Sequence, residues 1–151
     1  MSYETATPRI AVYMLFEQAG KYAFVLRSNT GWRDGFYALP SGKVEKSESF
    51  TQAAIREAKE EVGVTIKAKD LHAVLTCHRM EDGNDWVDTL FVVDTWQGEL
   101  VNNEPHMHSE LTWFALDAMP VNVTPNQRIT ILAYLRGEHF YELGWDGADF
   151  S

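Results

Sequence analysis

Three glutamates at helical spacing, Glu57, Glu60 and Glu61, constrain this chain more than any other feature of its sequence. Positions three and four residues apart share one side of a helix. Carboxylates stacked there repel one another, so the pattern calls for a cation. A hard divalent ion is the natural partner, because magnesium takes oxygen ligands and keeps positions open for water and phosphate. Spacing alone would equally suit a solvated face laced by Arg56 and Lys59. The surrounding register decides between the two readings.

Across the 23 residues from Gly42 to Val64, Gly42, Glu48, Arg56, Glu57, Ala58, Glu60, Glu61, Gly63 and Val64 fall on one fixed pattern. The segment resembles the Nudix box, G-x5-E-x7-R-E-U-x-E-E-x-G-U with U aliphatic, and the chain is therefore similar to Nudix hydrolases. Ala58 departs softly, being smaller than the usual Leu or Ile. The resemblance implies an α/β/α sandwich with a mixed β-sheet. It implies Mg²⁺ or Mn²⁺ held by Glu57, Glu60, Glu61 and the backbone carbonyl of Gly42, where a missing side chain permits close approach. Arg56 points roughly 100° away from Glu57 around the helix, and the resemblance pairs it with Glu48 to fix the loop onto the helix. Glu57 is a candidate base for the attacking water. Family precedent also offers a glutamate outside the box. Here Glu104 and Glu110 flank a polar connection before a late strand, with Glu110 slightly preferred.

At 151 residues with 45% hydrophobic composition, the chain suits one domain, residues 1–151, with a substantial core. The net charge of −9 argues against attraction to nucleic acid polymers, which need a basic stripe. It also means an anionic substrate requires local cations, in agreement with a metal. No apolar run can cross a bilayer, and residues 1–9 carry no signal-peptide pattern. Cys77 is the sole cysteine and reads as a core thiol, which fits a reducing cytoplasm.

Alternating or apolar runs predict strands over 9–16, 21–27, 36–39, 71–80, 86–96 and 111–116. Turns are expected at 17–20 and 81–85, and a mobile loop at 28–35. Ser47 is an N-cap candidate with Glu48 in the favourable first turn. Phe50, Ala54, Ala58 and Val62 form the inward face of that helix, and Gly63 ends it. A second amphipathic helix is expected over 125–136 through Ile129, Leu132, Ala133 and Leu135. The tail, residues 138–151, carries Phe140, Tyr141, Trp145 and Phe150 among acidic residues. It is expected to fold back on its own domain or onto a homodimer mate.

The expected partner is a small-molecule nucleotide. Arg27, Lys43 and Arg79 are candidate contacts for its phosphates, with Arg79 reaching across the sheet and Lys43 reading equally as solvated surface. Trp32, Tyr37 and Trp113 could stack on a base, and Trp113 could equally be core. Glu45 reads as surface. Of the five histidines, His72, His78, His106, His108 and His139, His106 and His108 form an i, i+2 pair with no cysteine or third histidine nearby, which disfavours zinc. Marks of the coenzyme A, NADH, ADP-ribose and dinucleoside polyphosphate subfamilies are absent. The run from Val123 through Pro125 and Asn126 resembles the opening of the last helix in MutT-type nucleoside triphosphatases, where an asparagine reads a base edge. Otherwise Thr124 or Asn126 merely caps that helix. The resemblance thus implies a (d)NTP pyrophosphohydrolase yielding a nucleoside monophosphate and pyrophosphate. The alternatives are hydrolysis of a sugar-linked or capped nucleoside diphosphate, and a non-catalytic nucleotide-binding module. The intact glutamates disfavour the last.

Overall fold

Six successive residues of the first strand, Ala11 to Phe16, alternate side chains between two apolar layers, and the architecture follows from that. The computed structural model describes residues 3–147. Its strands are β1 (Arg9–Gln18), β2 (Lys21–Arg27), β3 (Tyr37–Ala38), β4 (Ser41–Lys43), β5 (His72–Glu81), β6 (Asn84–Val93), β7 (His108–Phe114) and β8 (Phe140–Leu143). Its helices are α1 (Phe50–Val62) and α2 (Pro125–Leu135). The sheet runs β3-β2-β1-β6-β5-β8, with β4 also on β1 and β7 also on β2. The β1/β6 and β5/β8 pairs are parallel and the others antiparallel, so the sheet is mixed.

Val12, Met14 and Phe16 pack with Ala53, Ala54, Ala58 and Val62 of α1. Ala11, Tyr13 and Leu15 pack on the opposite face with Ile131 and Ala133 of α2. A strand covered on both faces must be apolar at every position, which is why β1 reads as a near-continuous hydrophobic run. The result is the expected α/β/α sandwich. Ala53, Ala54 and Ala58, all fully buried, let α1 lie close to the sheet. The small residue at position 58 suits that packing.

Several local expectations are corrected. Ser49, not Ser47, caps α1: its hydroxyl accepts from Gln52 N at 3.0 Å while the Gln52 side chain accepts from Ser49 N at 2.9 Å. Ser47 sits at φ 68°, a conformation unsuited to a cap, and Glu48 lies before the helix rather than in its first turn. Phe50 packs against the core only partly. The other predicted end holds, since Gly63 is left-handed at φ 74°, as a helix-terminating glycine should be. In α2 the inward face is Asn126, Gln127, Thr130, Ile131 and Ala133, whereas Leu132 and Leu135 are exposed. Apolar periodicity misplaces this face because its buried side is half polar.

The connection expected over 81–85 tightens to Asp82 (φ 51°) and Gly83 (φ 73°), the left-handed pair of a type I′ hairpin turn. The strand expected over 36–39 is present as β3, whereas β4 and β8, of three and four residues, are too short to separate by pattern. Strand β8 folds the tail back onto β5, with Phe140 opposite Thr76 and Leu143 opposite Arg79. Phe150 lies outside the described residues.

Ser49→Ala removes a capping box and should lower stability by about 1 kcal/mol, read as a drop in urea midpoint. Ser47→Ala should change it by less than about 0.5 kcal/mol.

Candidate active site

Strand β4 divides the region in two. Ser41 and Lys43 line a cleft of about 580 Å³ that also borders Arg9, Ala11, Tyr13, Arg27, Trp32, Arg79, Trp86 and Gln127. A side chain on Gly42 would point the other way, towards α1. A Cβ built there would fall 2.0 Å from Glu57 Cδ, so the backbone and this carboxylate meet at a distance that only glycine allows.

The three box glutamates occupy three different environments. Glu61 is buried, with Oε2 accepting from Ser41 N at 3.1 Å and Oε1 lying 3.6 Å from His108 Nε2. Burial pushes its carboxyl well above the ordinary value, and the charges of Glu57 and Glu104 add to that. Glu57 is partly buried and shifted in the same direction by burial, then by Glu60 and Glu104, against the pull of Arg56. Glu60 is largely exposed. Among the described residues no three His, Cys, Asp or Glu side chains close on one point. Like charges spread, and each carboxylate takes the nearest donor, Arg56 Nη1 serving Glu57 at 2.7 Å and Glu60 at 3.4 Å.

Arg56 anchors the loop as expected: Nε and Nη2 bind the two oxygens of Glu48 at 2.7 and 2.9 Å, and Nη2 also reaches Lys43 O at 3.0 Å. This fork holds the Glu48 carboxyl down at about 2. The helical-wheel expectation that Arg56 avoids Glu57 fails because its long side chain curls back. Glu45 is exposed surface, 3.8 Å from Arg56.

The donor set fits a divalent cation. It offers a buried carboxylate that carries its charge reluctantly, a second beside a glycine backbone, and surplus negative charge. Glu104 contributes to that surplus from a loop that is clipped to the end of α1. Val101 N donates to Val62 O, Asn103 N to Glu61 O, and Asn103 Nδ2 to Glu60 O at 3.1 Å. Glu110, by contrast, is bonded to Tyr37 and Thr112, and those bonds lower its pKa.

The expected substrate contacts divide. Arg27 lines the cleft, braced by Trp32 O and Thr30 Oγ1 and lying 4.9 Å from the Trp32 ring. The 28–35 loop is closed on itself by Asp34, which accepts from Thr30 and Gly31. Lys43 stands at the cleft 5.8 Å from the Trp86 ring. Arg79 also lines the cleft, yet its guanidinium is already bonded to Asp88, Glu81 and Tyr13 and lies 4.5 Å from the Trp86 ring. Asn126 is buried and faces Tyr13, with Nδ2 3.2 Å from the phenol oxygen, and does not line the cleft. Neither it nor Thr124 gives α2 a side-chain cap. Trp113 stacks on Trp96 away from the cleft, and Tyr37 is edge-on to Phe114. Cys77 is fully buried, its thiol pushed up to about 12 by burial.

Sequence reasoning missed Trp86, Gln127 and Arg9. Trp86 was visible only as a strand residue, and Gln127 as the neighbour of a more familiar asparagine.

The NUDIX domain model matches residues 6–134, and the chain belongs to the Nudix family of hydrolases, enzymes that act on small nucleotide substrates and generally use divalent metal ions. It is 30% identical over 129 residues to an ADP-ribose pyrophosphatase of Methanocaldococcus jannaschii, covering 85% of this chain and 74% of that protein. It is 31% identical over 101 residues to a putative 8-oxo-dGTP diphosphatase 3 of Mycobacterium tuberculosis, covering 64% and 46%. The crystal structure of a MutT NUDIX hydrolase from Burkholderia pseudomallei superposes with a TM-score of 0.75 at 27% identity, over 87% of this chain and 98% of that one. No helix among the described residues is long and apolar enough to cross a membrane.

Glu61 yields a pH prediction. A carboxyl raised in the folded state favours folding while protonated, and that contribution is lost as pH rises from the ordinary value of 4.5 through its raised one. In chelator-containing buffer, wild-type thermal stability should therefore fall relative to Glu61→Gln as pH rises above about 4.5. Added Mg²⁺ should close the gap from the wild-type side. Parallel curves for the two proteins would refute the assignment.

A Cβ at position 42 displaces Glu57, so Gly42→Ala should cost about a hundredfold in turnover while far-UV circular dichroism is retained.

Proposed function

We propose that this chain is a divalent-metal pyrophosphohydrolase of nucleoside triphosphates, releasing a nucleoside monophosphate and pyrophosphate. The reading rests on one observation: cationic and indole side chains, Arg9, Arg27, Lys43, Trp32 and Trp86, share a single cleft that begins at Gly42. That combination suits a ligand with an aromatic ring at one end and phosphates at the other. The whole chain acting as one domain, residues 1–151, and Mg²⁺ or Mn²⁺ as the ion belong to the same proposal.

Glu57, Glu60, Glu61 and the Gly42 carbonyl would hold the ion, which when bound neutralises phosphate charge and acidifies the attacking water. Arg56 keeps Glu57 beside Gly42 and ties the box loop to Glu48. Arg27, braced by Trp32 and Thr30, and Lys43 present positive charge to the phosphates. Arg79, neutralised by Asp88 and Glu81, shapes the cleft floor rather than supplying free charge. Glu104 is the proposed general base in place of Glu110, since its charge is felt at both Glu57 and Glu61 whereas Glu110 is engaged with Tyr37. Asn126, bonded to Tyr13 and not among the residues lining the cleft, is given no direct contact with the base in this proposal.

A second reading, hydrolysis of a sugar-linked nucleoside diphosphate, draws support from the relative named an ADP-ribose pyrophosphatase. Product analysis separates the two. Incubating all (d)NTPs and ADP-ribose with Mg²⁺ should release inorganic pyrophosphate from a triphosphate. Ribose 5-phosphate from ADP-ribose with inert triphosphates would establish the second reading, and no turnover at all would end both. Glu104→Gln should lower kcat by a factor of about 10² to 10⁴, whereas Glu110→Gln should stay within about threefold of wild type.

A further inference from the structure

Beyond residue 134, where the family match ends, the chain returns to the sheet as β8 and then sets Trp145 against β5. The indole Nε1 donates to His78 O at 2.9 Å, and the indole lies 4.5 Å from the His78 imidazole at an interplanar angle of 44°. His78 Nε2 is in turn 2.7 Å from Asp85 Oδ1. A carboxylate only accepts, so the imidazole nitrogen donates. In the β5/β6 ladder His78 stands opposite Val87. The bond to Asp85 is therefore a diagonal that reaches along β6 towards the hairpin turn.

The place it reaches has little other support. Strand β1 begins at Arg9, opposite Trp86, and β8 ends at Leu143, opposite Arg79. The two rungs beyond, Met80 with Asp85 and Glu81 with Asn84, have no strand paired on either side among the described residues. A lone two-stranded ribbon is marginal in water. Yet this tip is a wall of the cleft, to which it supplies Glu81, Asp82 and Asn84 next to Trp86. Neighbouring residues of a strand point to opposite faces. On the cleft face Arg79 holds the tip through Glu81. On the other face the tie is His78 to Asp85, with Trp145 packed on its imidazole.

We propose that Trp145 is a positioning residue that fixes the tip of the β5–β6 hairpin as a wall of the substrate cleft, acting through His78 and Asp85. The indole grips His78 twice, by its ring and by its bond to the backbone carbonyl, so the imidazole gives up less freedom in bonding Asp85. The effect on substrate follows from population. A wall in place for only a fraction of the time lowers the apparent affinity by that fraction. The proposal rests on the nucleotide reading of the cleft for the choice of ligand alone.

Hydrogen–deuterium exchange on Trp145→Ala tests the brace with no substrate present. Amides between Glu81 and Trp86 should exchange about tenfold faster than in wild type, with β1 and α1 unchanged. Trp145→Phe keeps a ring for His78 but lacks the N–H, and should fall between the two. His78→Phe should match Trp145→Ala, and combining both should add nothing further. Phe140→Ala, an exposed side chain of β8, should leave the tip as it is. In steady-state kinetics Trp145→Ala should raise KM for the preferred nucleotide about fivefold with kcat within about twofold. Unaltered exchange at the tip, a rise shared equally by α1, or an unmoved KM would overturn the proposal. If wild-type protein turns over no nucleotide, the proposed activity fails, and exchange at the tip then decides the role of Trp145.

Discussion

Strand β1 pairs with β6 in parallel over eight rungs, from Arg9 opposite Trp86 to Phe16 opposite Val93, and the rest of the molecule is arranged around that ladder. Parallel neighbours cannot be joined by a hairpin, so the chain between them must travel over the sheet. It uses the journey to lay down β2, β3, β4, α1 and β5. Residues 11–13 of β1 are gripped from both sides, by β6 and by antiparallel β4, where Val12 faces Gly42 and Tyr13 faces Ser41. The same three residues serve both apolar layers and the cleft floor. Any slip of this register would exchange Val12 for Tyr13 on every surface at once.

Charge is handled differently on the two sides of β4. Towards α1, Arg56 is shared among Glu48, Glu57 and Glu60, and negative charge remains in excess. Towards the cleft, buried Arg79 is balanced by Asp88 and Glu81. Removing one partner of a buried pair leaves an uncompensated charge, so this cluster is rigid by necessity. Attraction for phosphate therefore falls to less committed side chains, Arg27, Lys43 and Arg9, together with the divalent ion that the family uses.

Much of this was legible in the sequence, because the box fixes both chemistry and local geometry. Gly42, Arg56, Glu48 and Gly63 all take the structural places their pattern requires. What failed did so for physical reasons. Helix α2 hides Asn126, Gln127 and Thr130 and exposes Leu132 and Leu135, so a rule that seeks apolar periodicity picks the wrong face. Ser47 reads as the cap where Ser49 is the one, because caps depend on a backbone angle that sequence does not print. Strands β4 and β8, of three and four residues, carry too few positions for alternation to show. Trp86 and Tyr13 belong to the cleft only because β1, β5 and β6 lie side by side, a long-range fact invisible to any local window.

The clip between the 101–103 segment and the end of α1 has a consequence for evolution of the site. Val101, Asn103 and the Asn103 amide occupy carbonyls that a helix terminus leaves vacant, so Glu104 is indexed to the box helix as well as to the start of β7, where His108 N donates to its carbonyl. Residues can be inserted or lost in the hairpins at the far ends of the strands without altering the spacing between Glu104 and Glu57. Substrate preference can therefore drift in the cleft walls while the acidic centre keeps its dimensions.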